Sequence, residues 1–428
     1  MTYLFIGAGQ AGGAIVDAIF EYTDDSMLGL FESTDISTLG RPLVFNSTMR
    51  DLQNLSNVPV EDQYGVAQQH GLVQGTEPGF EEMVTGGFGR NPVDADEVMA
   101  DHADELQRIL ESKFGGRTAA NIDEEEEEVP TTETDAIQFA FLFVGLGGGT
   151  GCGISPHIAR AIKEFTDDRT KIVAVPILPN TRGGVEDDET GDEVSAGRQA
   201  WNARYGLNRL EDVVDGIVLV DNQRISYLDS AGGEFGEYNE YIAAAFHDIV
   251  VGPMLSNVDA SEVDGVDTPD IDVRDIVTSL SFGVAGGDSQ PGYGAIGRSV
   301  TMTRSLSGYL LPFVGRRNVD SAALARLSAS KQSLAKADPN EAQKAIALVR
   351  APSANIGPGS YSVETGTIKE YLERSCALNE VNIGVALSGR NLASVVTLLT
   401  YRREDLDRLD EIEAAADAYE QETEELFA

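Results

Sequence analysis

Apolar positions along the chain fall into short runs that end in glycine loops, each followed by a stretch with helical spacing. Tyr3–Ile6 is an apolar run, and Ala14–Phe20 behind it carries an apolar face at helical spacing. Pro42–Phe45 is a second run. Ala136–Leu146, apolar from Phe139 and broken only by Gly145, is a third, and Ile154–Ile162 after it has a helical repeat. Lys171–Leu178 and Gly216–Val220 complete the set. Ser195–Leu210 places Ala196, Ala200, Ala203, Leu207 and Leu210 on one stripe. Strands and helices alternate through residue 220, which predicts a doubly wound parallel sheet. Val93–Leu110 is predicted as one helix, with Pro92 suited to its first turn.

Further on, Tyr238–Met254 predicts a long helix, apolar at Ile242, Ala245, Phe246, Ile249, Val250 and Met254. Beyond Phe282 the texture changes. Gly283–Gly294 is glycine-rich, and strands are expected at Val300–Leu311, Ala345–Arg350, Val381–Leu387 and Val395–Tyr401. Helices are expected near Asp320–Lys336 and Ile368–Ser375, giving a mixed α/β second domain that starts near residue 275. Glu404–Phe427 reads as an acidic helix with Leu406, Leu409, Ile412, Ala416 and Tyr419 on one stripe. That stripe suits packing on the body better than a free partner surface. Asn180–Glu193 and Ser112–Thr134, the latter holding the acidic run Glu124–Glu128, are expected to be surface loops.

Three glycine loops sit where strands run into helices. Gly147–Gly153 reads Gly-Gly-Gly-Thr-Gly-Cys-Gly, and its density of glycines leaves backbone N–H groups unshielded at a helix start, where the dipole is positive. It is a candidate phosphate cradle. Gly7–Gly13 contains a G-x-G-x-x-G motif between strand and helix, with Glu32 where a dinucleotide fold places its ribose acid. That leaves a dinucleotide-dependent oxidoreductase as a competing reading, although no catalytic His, Tyr or Lys constellation accompanies it. Gly86–Pro92 is the third loop. Asn46-Ser47-Thr48 closes the second strand, where polar groups reach a ligand crevice or simply cap the next helix. Asp272 and Asp275 are three apart, so they share a helix face or mark an acidic helix start.

The chain has 428 residues, with 71 acidic against 31 basic residues and a formal net charge of −40. Self-repulsion on that scale weakens as salt shortens the Debye length to about 3 Å at 1 M, so the expected setting is a high-salt, haloarchaeal cytoplasm. No Lys/Arg cluster suggests nucleic-acid binding. Two distant cysteines, Cys152 and Cys376, fit a reducing compartment. Four scattered His offer no metal-ligand spacing, so no metal held by side chains is expected. No run approaches the ~20 apolar residues of a membrane span, and the first residues enter a strand and glycine loop with no basic region or cleavage site. A cytoplasmic protein without a transmembrane segment is expected.

Taken together, these motifs resemble the tubulin and FtsZ superfamily over most of the chain. Gly147–Gly153 resembles its G-G-G-T-G-[ST]-G signature, with Cys152 in the Ser/Thr place. Gly7–Gly13 is similar to the start of the haloarchaeal CetZ branch. Asn46-Ser47-Thr48 resembles the N-T-[DA] turn after the second strand, and Gly89-Arg90-Asn91-Pro92 resembles the FtsZ G-G-N-P loop. The resemblance implies a Rossmann-like GTPase domain (1–236), a central helix (237–256), an acidic catalytic loop (257–275), a smaller activation domain (276–403) and an acidic tail (404–428). It implies GTP or GDP, with Mg²⁺ accompanying GTP. The nucleotide contacts it implies are Gly9, Gln10, Ala11, Gly12, Asn46, Gly89, Asn91, Gly147, Gly148, Gly149, Thr150, Gly151 and Cys152. Arg198 and Asn202 would flank the ribose, Asn222 would contact base and ribose, and Asn239 would read the guanine edge.

The same resemblance implies head-to-tail protofilaments in which Asp272 and Asp275 of one copy act on the GTP of the next. It also implies a role in cell shape or division with membrane-linked or cytoskeletal partners. Two departures stand out: Ser195 occupies the place of a ribose-contacting Glu, and Asp270 that of an Asn before the acidic pair. They leave open a relative that binds nucleotide without hydrolysing it or polymerising.

Overall fold

The computed structural model describes residues 2–22, 36–38, 40–114, 137–181, 192–227, 235–251, 271, 273–283, 290–304, 315–356, 361–376, 378, 380–388 and 390–427. Glu32, the Glu124–Glu128 run, the loop Val258–Pro269, Asp270 and Asp272 lie outside them. Contacts divide the chain into two units, one of Met1–Phe20, Leu39–Ile217 and Glu411–Ala428, the other of Glu21–Thr38 and Val218–Asp410.

In the first unit, β1 (Thr2–Ala8), β2 (Gly40–Asn46), β3 (Gln63–Ala67), β4 (Gly71–Gln74), β5 (Ile137–Gly145) and β6 (Lys171–Leu178) run in the order β6-β5-β1-β2-β3-β4. The β6–β5, β5–β1, β1–β2 and β2–β3 pairs are parallel, as the strand–helix alternation predicts, while β3 and β4 form an antiparallel hairpin at the edge. Both faces are covered, so the central strands are apolar throughout. Leu4, Phe5, Ile6, Phe139 and Phe141 are all buried, with Phe5 stacked on Phe141 at 5.6 Å. The helices are α1 (Gly9–Glu21), α2 (Met49–Gln53), α3 (Phe80–Met83), α4 (Pro92–Asp101), α5 (Ala103–Phe114), α6 (Gly149–Phe165) and α7 (Asp192–Glu211).

Two expectations are corrected here. The single helix over 93–110 is two, because His102 leaves helical geometry (φ −112°, ψ 23°) and α5 restarts at Ala103. The glycine loop also does not extend to Gly153: α6 begins at Gly149, so Gly149–Gly153 form its first turns.

The second unit contains β7 (Gly216–Asp221) from Val218 onward, β8 (Ser281–Phe282), β9 (Gln290–Pro291), β10 (Tyr293–Met302), β11 (Lys344–Ala351), β12 (Glu380–Leu387) and β13 (Leu392–Tyr401). Its main sheet has the order β12-β11-β13-β10-β7, with β10–β13 and β11–β13 antiparallel and β11–β12 parallel. Around it are α8 (Phe235–Val251), α9 (Val273–Ser279), α10 (Ser321–Ser330) and α11 (Thr365–Ser375), followed by the start of α12 (Asp407–Phe427).

The strand expected at 300–311 begins earlier, running over Tyr293–Met302, and 305–311 lie outside the described residues. Its glycines Gly294 and Gly297 disguised it, and at its end Val300 and Met302 are exposed. The helix expected to reach Lys336 stops at Ser330. Ser333 then works as a strand surrogate: its N–H donates to Ile296 O (2.6 Å) and its Oγ to Leu219 O (2.5 Å).

The unit also buries charge. Asp248 of α8 accepts from Arg298 Nε (2.8 Å) and Arg350 Nη1 (2.9 Å). Burial alone would raise its carboxyl, but the two guanidiniums outweigh it and hold it below the usual carboxylate range. Among the described residues no helix is long and apolar enough to cross a membrane.

Candidate functional site

Strands β1 and β5 lie side by side with Ala8 opposite Val144; β1 turns at once into α1, and β5 reaches α6 after Leu146, Gly147 and Gly148. Gly9 starts α1 with φ at +75°, and a Cβ placed there would sit 3.1 Å from Gly151 N. A Cβ on Gly151 would sit 2.5 Å from Gly145 O, and one on Gly12 only 2.2 Å from Phe143 O. One on Gly149 would press on the Asn91 backbone at 2.6 Å. These glycines let two helix amino ends and the 86–92 loop touch backbone to backbone. The result is a cluster of orphan N–H groups with two positive dipole ends together.

This revises the reading of Gly147–Gly153 as an open cradle throughout. Within it only Gly148, which is exposed, has nothing within 4 Å of a Cβ position. Gly147 lies under Pro179 and Gln199, and the remaining glycines are set by packing. Gln10 is exposed at the start of α1, while Ala11 is half-buried against Gly145.

Polar side chains frame this cluster. Thr150 Oγ1 and Ser47 Oγ are 2.6 Å apart, joining α6 to the end of β2. Asn46 is buried and turned onto its own loop: its Oδ1 accepts from Ser47 N (2.8 Å) and its Nδ2 donates to Asp51 Oδ2 (3.3 Å). Gly87 lies over the Ser47 and Thr48 hydroxyls. Gly89 (φ +55°) and Arg90 (φ +62°) make consecutive left-handed turns, costly for an arginine, which aim the loop at α6. Asn91 Oδ1 then caps α4 by accepting from Val93 N at 3.1 Å.

Helix α7 ties two of the loops together. The buried Asn202 donates through Nδ2 to Arg90 O (3.0 Å) and Gly147 O (3.3 Å). It therefore positions the loops, and its Oδ1 is buried without a partner. Arg198 lines a cavity of about 520 Å³ with Arg90, Trp201 and Asn202, closed on one side by Tyr419 and Glu424 of α12. That helix is clamped onto α7: Arg204 meets Asp417 at 2.5 Å and Glu420 at 2.6 Å, and Trp201 Nε1 donates to Glu420 at 2.7 Å. Hydrogen bonds from Arg204 and Trp201 hold the Glu420 carboxyl below its usual range.

Gln199 escaped the sequence reading, although it sits one helical turn beyond Ser195 and faces Gly147. Helix α7 begins at Asp192 and so includes Ser195, whose side chain is outside the described residues. The Cys152 side chain is fully buried in the packing of α6. Its thiol donates to Leu146 O (3.0 Å) beside Gly206, and burial pushes it far above the usual thiol range.

In the second unit, Asn222 follows β7 and Asn239 lies in the first turns of α8, both half-exposed. Asp275 is half-exposed in the first turn of α9, and Asp272 lies outside the described residues. Among the described residues no group of three or more His, Cys, Asp or Glu could hold a metal ion.

The Tubulin/FtsZ family, GTPase domain, matches residues 2–228. No curated protein sequence matches the chain. Among solved structures, the fold is similar to CetZ1 from Haloferax volcanii in a GDP-bound monomer, at 20% identity and a TM-score of 0.65 over 98% of this chain and 100% of that one. CetZ from Methanosaeta thermophila is similar at 18% identity and a TM-score of 0.65, covering 99% and 92%. TubZ of Bacillus thuringiensis serovar israelensis, in a GTPγS-form protofilament, is similar at 17% identity and a TM-score of 0.62, covering 100% and 94%. With the family's domain matched over more than half of its length, the chain belongs to the Tubulin/FtsZ family.

Proposed function

We propose that this protein binds GTP, assembles head to tail into protofilaments and hydrolyses GTP where one copy meets the next. The observation that carries this reading is the meeting of the α1 and α6 amino ends, with Gly9 pressed against Gly151. That arrangement suits a chain of phosphates better than a single one. The GDP-bound CetZ1 and the GTPγS-form TubZ protofilament support the nucleotide and the assembly.

In this reading the N–H groups around Gly148 and the start of α1 hold the phosphates, while Thr150 and Ser47 orient them. Asn222 and Asn239 recognise the guanine. Asp275, with Asp272, acts on the water that attacks the γ-phosphate of a neighbouring copy, so catalysis is positioning plus charge stabilisation. Among the described residues no acidic cage is present, so a magnesium ion carried by the nucleotide would keep most of its waters and bind through phosphate oxygens, neutralising their charge. Cell shape control or division in a salt-rich cytoplasm is the role in which such a filament, with its membrane-linked or cytoskeletal partners, would act.

The test is GTPase rate against protein concentration in molar salt, with pelleting in GTP and in GDP. A rate per molecule that climbs with concentration, with pellets only in GTP, is expected. Strict proportionality from dilute solution upward contradicts a shared site, and nucleotide binding without turnover or pellets would mark a non-hydrolysing relative. Thermal protection by NAD and not by GTP would restore the oxidoreductase reading.

A further inference from the structure

Asn222 and Asn239 are half-exposed, yet the residue before each is fully buried: Asp221 at 0% and Tyr238 at 1% exposure. Those two buried neighbours meet. Tyr238 Oη lies 3.3 Å from Asp221 O and 3.0 Å from Ser333 O, its single proton shared between the two carbonyls. Ser333 O also accepts from Asp221 N at 2.9 Å. The backbone of Asp221, at the end of β7, is therefore held at both its N–H and its carbonyl.

The Asp221 carboxylate is held as well. Oδ1 accepts from Gln223 N (3.0 Å), which folds the chain back directly after Asn222. Oδ2 accepts from Arg408 Nε at 2.9 Å, and both side chains of this ion pair are completely buried. Ala335 N reaches the same oxygen at 3.4 Å. An ion pair removed from water at this depth brings little net stability compared with an apolar pair of the same shape. Its return is geometric: each oxygen of Asp221 has one place to go, so the backbone at 221–223 has one conformation.

We infer that Tyr238 and Arg408 are positioning residues for base selection: through Asp221 they fix the spacing of Asn222 and Asn239, the two side chains read above as recognising guanine. The inference rests on that reading of the two asparagines. Neither positioning residue touches the nucleotide. Tyr238 joins the two elements that carry the asparagines, and Arg408 locks the turn that presents Asn222. Guanine differs from other bases along one edge, and two amide side chains discriminate only while their separation matches that edge. Loosening the tie would cost selectivity before it costs phosphate binding.

The test compares affinities for GTP, ITP, ATP and inorganic triphosphate in wild type, Tyr238→Phe and Arg408→Lys. Phenylalanine keeps the ring and removes only the shared proton, and lysine keeps the charge but not the planar Nε–H. Both variants are expected to lose about tenfold in the GTP-to-ATP and GTP-to-ITP preference, with triphosphate affinity unchanged. Should Arg408→Lys fail to fold, Tyr238→Phe alone decides. A selective wild type whose preference is unchanged in Tyr238→Phe, or one in which all four affinities fall in parallel, overturns the tie while leaving GTP binding in place. A wild type that prefers neither GTP nor guanine overturns the nucleotide reading and the tie together.

Discussion

The first unit makes its candidate site from backbone, and the second buries charge in its interior. Around Gly9, Gly12, Gly149 and Gly151 the chain has removed side chains so that helices and strands meet at van der Waals distance. In the second unit Asp248 with Arg298 and Arg350, and Asp221 with Arg408, place ionised side chains where water does not reach. The two designs fail differently. A backbone contact is intolerant of any added atom, whereas a buried ion pair is intolerant of losing one partner.

The sharpest way to break the contrast is Gly12→Ala, whose added carbon meets Phe143 O at 2.2 Å. A loss above about 4 kcal/mol, or failure to fold, is expected by urea denaturation. Gly148→Ala, in open space three residues after β5, is the control, at about 1 kcal/mol for a helix cap. Equal losses from the two would remove the distinction between packed and open glycines.

Next is Asp248→Ala, which strands two buried guanidiniums and should cost about 3–5 kcal/mol. The depressed carboxyl adds a pH signature. Its stabilisation is present above the unfolded value of 3.8 and disappears as pH falls below it. An Asp248→Ala protein as stable as wild type at pH 7 would show the cluster to be neutral.

His247 gives a smaller effect of the opposite chemical kind. It is buried against Tyr22, with ring centroids 4.9 Å apart, and neither ring nitrogen has a hydrogen-bond partner among the described residues. Burial, reinforced by Arg350, Arg298 and Arg390 against Asp248, lowers it to about 4. The unfolded chain takes up this proton from about pH 6.5 and the folded chain only near 4, so stability falls as pH falls through that window, by about 3 kcal/mol in all. His247→Phe should flatten the wild-type slope between pH 6.5 and 5, where few carboxylates titrate. Parallel slopes in the two proteins would refute this.

The smallest effect belongs to the α12 clamp. Asp417 and Glu420 are largely exposed, so Arg204→Ala should cost no more than about 1 kcal/mol. Trp201, the only tryptophan, loses its Glu420 partner if the helix lifts, and its emission should then shift to the red. An unchanged spectrum would mean that α12 stays docked without Arg204.

These differences also explain how far the sequence could be read. Strands β1, β5 and β6 and helix α6 announced themselves because parallel strands buried on both faces are continuous apolar runs. The β3–β4 hairpin did not, since Gln63–Ala67 and Gly71–Gln74 are short and each carries a glycine, so neither makes a continuous apolar run. The glycine motifs gave the place of the site, yet which glycine packs and which lies open depends on partners distant in sequence. Arg408 was the least legible: within an acid-rich segment it resembles any solvated charge, and only the fold puts Asp221 beside it. The same holds for Cys152, whose motif position suggested a ligand contact and whose thiol the fold buries against Leu146 O.

That thiol has a practical consequence. The chain has two cysteines, and the division of contacts assigns one to each unit: Cys152 to the first and Cys376 to the second. Both are buried, and burial pushes the Cys376 thiol up to about 11 and Cys152 higher still. An alkylating reagent needs thiolate and access, and the closed fold withholds both. Modification therefore waits on local opening, and the two labelling rates, separated by peptide mapping, become independent clocks for the breathing of each unit.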